Sequence, residues 1–155
     1  MKKLLIALFM AATFSQASAQ SIQIRDAFKE MPDSFMPYLS KNNRLDFIDF
    51  LDSNMKAEVK NLLGGTTQML SIGADSLTLS MNPSLRVDLL AIDSVLVMVE
   101  TFMVDSIYGE SRVHYYSAEW KPISTPDFSP IQEQRINRLK LQNIVKRDDD
   151  LLNKR

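Results

Sequence analysis

Residues 94–103, Ser94-Val-Leu-Val-Met-Val-Glu-Thr-Phe-Met103, are the most strongly strand-forming run of this chain and decide how the rest is read. Side chains alternate along an extended strand, so Val95, Val97 and Val99 point to one face and Leu96, Met98 and Phe102 to the other. Apolar residues on both faces predict a central strand covered above and below.

Period-two stretches flank this run. They are Gln68 to Ile72, Ser76 to Met81, Leu85 to Ile92 and Ser111 to Tyr116, with turns at Gly73-Ala74-Asp75, at Asn82-Pro83-Ser84, near Asp93 and around Ser106 to Glu110. Short connections between consecutive strands predict an antiparallel meander. Before Gly64-Gly65, the one Gly pair in the chain, the apolar spacing is helical. Arg25 to Met31 forms two turns that Pro32 ends, and Asn43 to Asp52 is the stronger helix, with Leu45, Phe47, Ile48 and Leu51 inward and Asp46, Asp49 and Asp52 outward. Past the strands, Ser129 is placed as an N-cap, Pro130 at the first helical position and Gln132 where a capping box needs it, so a helix runs from about Pro130 to Arg147. The fold class is therefore α+β: N-terminal helices packed on an antiparallel four- to five-stranded meander, with a C-terminal charged helix. The expected core is Phe28, Leu45, Ile48, Leu51, Leu77, Leu79, Val87, Leu89, Val95, Val97 and Val99.

The first nineteen residues read as an export signal: Lys2 and Lys3, an apolar run from Leu4 to Phe14, and Ala17-Ser18-Ala19 ahead of a cleavage before Gln20. The chain then divides into a signal peptide (1–19), an α+β domain (20–128) and a charged helical tail (129–155), and the mature protein is expected to be soluble and periplasmic or secreted. With no cysteine anywhere, stability rests on packing rather than disulfides. Residues 20–130 carry a net charge of −6 and residues 131–155 a net charge of +3. So acidic a body argues against nucleic acid, whose binding draws on clustered Lys and Arg.

The absence of cysteine and the single histidine exclude thiol nucleophiles and multi-histidine zinc sites. His114 shares a strand face with Arg112 and Tyr116 and could act as a general base with Ser111, Ser117 or a carboxylate, although no nucleophile motif accompanies it. A solvent-facing or stacked histidine is the plainer reading. Asp46, Asp49 and Asp52 could bind calcium or flank a glycosidic bond, yet the loop that follows has Lys56 at a ligand position and lacks the required Gly. A solvated helix face accounts for them. Tyr115, Tyr116 and Trp120 form an aromatic end to the sheet, suited either to stacking on a ligand or to closing a core. No cofactor or metal is expected.

Several phrases together, FKEMPDSFMPYLSKNNRLDFIDFLDS at Phe28 to Ser53, NLLGG at Asn61 to Gly65 and HYYSAEWKP at His114 to Pro122, resemble a domain-of-unknown-function family of small exported Bacteroidales proteins. The likeness runs from about Ile24 to Pro122, and its first phrase is the most specific. The resemblance implies a Gram-negative envelope setting and an α+β domain, and it brings no catalytic residues. It also implies strand-like sequence after Trp120-Lys121-Pro122, where this chain instead enters its charged tail. The resulting expectation is a non-catalytic envelope module that binds a peptide, glycan or protein partner through Tyr115, Tyr116 and Trp120. The alternative is a small periplasmic hydrolase using His114 or the Asp46, Asp49 and Asp52 face.

Overall fold

The Val95–Met103 run is a strand of a six-stranded, fully antiparallel sheet in which every strand pairs with its neighbours in sequence. This computed structural model describes residues 21–103 and 109–140. The expected signal peptide, the whole connection before the last strand (104–108) and the tail from residue 141 onward, including the expected helix end at Arg147, lie outside the described residues.

In chain order the elements are helix α1 (Ile24–Glu30), a single 3-10 turn (Asp33–Phe35), helix α2 (Lys41–Asp52), and strands β1 (Glu58–Lys60), β2 (Thr66–Ile72), β3 (Ser76–Asn82), β4 (Leu85–Ile92), β5 (Val95–Met103) and β6 (Gly109–Ser117). A helical segment over residues 130–140 follows. The α+β class is as expected, but the meander has six strands rather than four or five. The added strand is β1, whose three residues Glu-Val-Lys are too few to show a period of their own.

β5 also lies one place from the edge and not at the centre, since the order is β1-β2-β3-β4-β5-β6. Its two-sided apolar pattern has another cause, which is that both faces are covered there. On one face Leu77, Leu79, Val87, Leu89, Leu96 and Met98 pack with Ile24, Phe28, Phe47 and Ile48 of the N-terminal helices and with Met31 just past the first of them. On the other, Leu90, Ile92, Val97 and Val99 pack with Ile136, and Tyr115, Phe128 and Leu139 close around them.

Helix α2 begins at Ser40, whose hydroxyl accepts from the Asn43 backbone N–H at 3.3 Å while the Asn43 side chain accepts from the Ser40 N–H at 3.2 Å. Its buried stripe is Arg44, Phe47 and Ile48, with Leu51 half-buried beside them. Leu45 is therefore exposed, contrary to the expected core, because it stands one residue out of phase with that stripe. The stripe contains an arginine, which periodicity in apolar residues passes over. Arg44 is enclosed and donates to the carbonyls of Leu39 and Met31, with Asp33 alongside at 2.8 Å.

The 130–140 helix starts with the expected capping box, in which Ser129 N–H donates to Gln132 Oε1 at 2.8 Å. Gln132 Nε2 then donates to Asp93 at 2.9 Å and Arg135 to Asp75 at 2.7 Å, tying this helix to the β4–β5 and β2–β3 turns.

Candidate functional site

Strand β6 ends the sheet, and among the described residues its outer edge is only partly closed. Beyond it the chain turns through Ser117 to Ile123 and folds back, so that Ser117 N–H donates to Lys121 O at 2.9 Å, Ile123 N–H donates to Tyr115 O at 3.0 Å, and Tyr116 bridges to Pro122. In an antiparallel ladder the N–H and C=O of one residue point the same way and alternate along the strand. Tyr115 and Ser117 face outward, and so therefore do Val113, Ser111 and Gly109. Met103 N–H donates to Ser84 O at 2.9 Å, away from its partner Gly109, which fits the same alternation. Among the described residues nothing bonds to the outward backbone groups of Gly109, Ser111 and Val113.

Two buried aromatic rings hold this arrangement. Tyr116 and Trp120 are 5% and 4% exposed, and their rings lie 5.4 Å apart, with Phe35 at 4.7 Å from Tyr116 and 5.8 Å from Trp120. The Trp120 indole donates to Ala27 O at 2.9 Å, one of the α1 carbonyls left without an intrahelical partner. Trp120 has a φ of 60°, unusual for a bulky residue, and it is the hydrogen bond and ring packing that hold it there. Burial, and then the nearby Glu100 charge, raise the Tyr116 hydroxyl pKa above its ordinary value.

Tyr115 points the other way, onto the opposite face, where its ring stands 5.7 Å from Phe128. The structure thus brings Tyr116 and Trp120 together as an enclosed pair, and does not bring Tyr115 to them. The three are not one exposed platform.

His114 shares the face covered by the N-terminal helices with Glu100, Arg112 and Tyr116. Its Nε2 lies 3.1 Å from Glu100 Oε2, and its ring is stacked 6.5 Å from Tyr116. Ser111 lies on the opposite face, 3.0 Å from the Thr101 hydroxyl, and Ser117 donates to Glu119 at 2.8 Å. Neither serine named as its partner stands with His114. Asp46 and Asp49 are exposed on α2, and Asp52 is ion-paired with Arg25. The edge itself carries Glu110 and Arg112, both exposed and 3.6 Å apart, with the Arg112 guanidinium 5.4 Å from the Phe102 ring.

Sequence reasoning missed a second exposed feature. Asn61 accepts at Oδ1 from the N–H of Leu63 and Gly65, at 3.0 and 3.1 Å, and donates from Nδ2 to Thr67 and to Met81 O. Gly64 takes a φ of 77° that a side chain would oppose. The outcome is an ordered turn that leaves Leu62 and Leu63 67% and 71% exposed. Two leucines before a Gly pair were the signal for it.

The family model described as "Protein of unknown function (DUF3256)" matches residues 16–153, and the chain belongs to that family. The match extends past residue 122, where the likeness read from the sequence ended, to residue 153. A solved domain of an uncharacterized protein from Porphyromonas gingivalis W83 is similar in fold, with a TM-score of 0.55 and 20% identity over 71% of this chain. The likeness spans 59% of that longer chain. No curated protein matches this sequence.

Proposed function

We propose that this protein is a non-catalytic binding module of the cell envelope, exported and freed of its first nineteen residues, that takes an extended segment of a peptide or protein partner along the outer edge of β6. One observation carries the reading: Gly109, Ser111 and Val113 present outward backbone donors and acceptors with no partner among the described residues. An edge of this kind is a template for strand addition. Tyr116 and Trp120 act as positioning residues, since they anchor the turn that closes the far end of the edge and set where an added strand must stop. Tyr115 belongs to the packing beneath the strand. Among the described residues no helix is long and apolar enough to cross a membrane.

A photo-crosslinking residue at Arg112 in the exported full-length protein tests this. Adducts to an envelope protein or to peptide are expected there and not from the same residue at Asp49. Equal adducts at both positions, or none at Arg112, would overturn it. The hydrolase alternative has in its favour the 3.1 Å approach of His114 to Glu100. Turnover of ester or peptide substrates that His114→Ala abolishes in a folded protein would establish that alternative instead.

A further inference from the structure

We propose that the segment taken by the β6 edge is the same edge of a second copy of this chain, paired antiparallel about a two-fold axis at Ser111. The inference rests on the reading of β6 as a contact edge and adds the partner and its register. Two identical antiparallel strands must pair about a point, and the charges choose the point. Outward positions have to meet outward positions, which allows centres at Ser111, Arg112 or Val113 within the open stretch. A centre at Arg112 sets Arg112 against Arg112 of the partner subunit, and like charges directly opposite one another are destabilising. A centre at Val113 brings Ser111 against Tyr115 of the partner subunit, whose outward carbonyl is already taken by Ile123.

A centre at Ser111 has neither fault. It sets Glu110 against Arg112 of the partner subunit, and Arg112 against Glu110 of the partner subunit, on one face of the joined sheet. Ser111 meets Ser111 of the partner subunit, and Gly109 meets Val113 of the partner subunit, so the three outward positions of each copy all find partners. Glu110 and Arg112 are 66% and 61% exposed, and so are available to pair across the axis. The arrangement is isologous and closes on itself after two copies. It covers the open stretch and leaves the turn at residues 117–123 in place.

The contact is short, well below the roughly 1,200 Å² of a stable interface, so a weak dimer is expected. Sedimentation equilibrium on the mature chain, over a concentration series from micromolar to millimolar, reads it directly. The wild type should pass from monomer to dimer. Glu110→Arg should weaken the dimer by about tenfold or more, and Glu110→Arg with Arg112→Glu should restore it to within about threefold of wild type. Val113→Pro removes an outward N–H that serves no bond among the described residues, and should leave a folded monomer. A protein that stays monomeric throughout the series overturns the proposal. So does a dimer that ignores the single charge reversal, or one that the double reversal fails to restore. Where the chain is monomeric but the crosslinker at Arg112 still forms adducts with another protein, the edge remains a binding site and only the self-pairing falls.

Discussion

The Trp120 indole and the Ala27 carbonyl, separated by 93 positions in sequence, are hydrogen-bonded at 2.9 Å and join the turn after β6 to the middle of α1. The first helix and the edge turn are thereby one structural unit. Trp120→Phe should cost about 1–2 kcal/mol by orphaning that carbonyl, and Trp120→Ala about 3–5 kcal/mol by also emptying the ring's site. Urea denaturation of the two variants checks the order, and a Trp120→Phe protein as stable as the wild type would contradict the hydrogen bond's part.

Arg44 is an enclosed charge whose donors satisfy the Leu39 and Met31 carbonyls, with Asp33 63% exposed at the rim. Arg44→Ala should cost about 3–5 kcal/mol, since it strands both carbonyls and leaves a void. Asp33→Asn should cost less than about 1 kcal/mol, because that partner is screened by water. Thermal melts of both variants measure the contrast.

Val97 is fully buried, with its side chain on the face closed by Ile136. Val97→Asp should prevent folding or cost upwards of about 4 kcal/mol, as a carboxylate there loses its hydration without a paired cation. An unchanged melting temperature would contradict the assignment of that face as core.

Stability should fall in alkali. The Tyr116 hydroxyl is raised by burial and then by Glu100, while the unfolded chain has the ordinary value of about 10. Between the two values the unfolded state has shed its proton and the folded state has not, so folding stability is fully present below about pH 10 and is lost as pH rises toward the folded value. Tyr115, raised by burial and then by Glu133, adds loss of the same sign. Tyr116→Phe should flatten part of this decline in urea midpoints taken between about pH 8 and 11.

The exposed Leu62-Leu63 turn depends on the Asn61 side chain, which bonds two backbone N–H groups and reaches Met81 O. Asn61→Ala should cost about 1–2 kcal/mol, whereas Leu62→Ser, at a site 67% exposed, should change stability by less than about 0.5 kcal/mol. Chemical denaturation of the pair separates a turn held by its asparagine from one held by its leucines.

Period alone was enough for the meander. Alternation of apolar and polar side chains is a local property, and the turns at 73–75, 82–84 and 93 are marked by residues that punctuate strands, so five of the six strands and their antiparallel order were legible in the chain. The Ser129 and Gln132 capping box was legible for the same reason, its partners being three residues apart. What the sequence could not show is which groups meet across distance. Arg44 lies inside because two carbonyls and Asp33 converge on it, and Leu45 lies outside because Arg44 has set the helix phase. Tyr116 and Trp120 were legible as an aromatic end, but only the approach of Phe35 and Ala27 makes them an enclosed anchor and sends Tyr115 to the other face. Whether an edge is open or closed is likewise settled by where a returning turn lays its own N–H and C=O groups. In this protein that turn stops at Tyr115 and leaves the outward groups of Gly109, Ser111 and Val113 without a partner among the described residues.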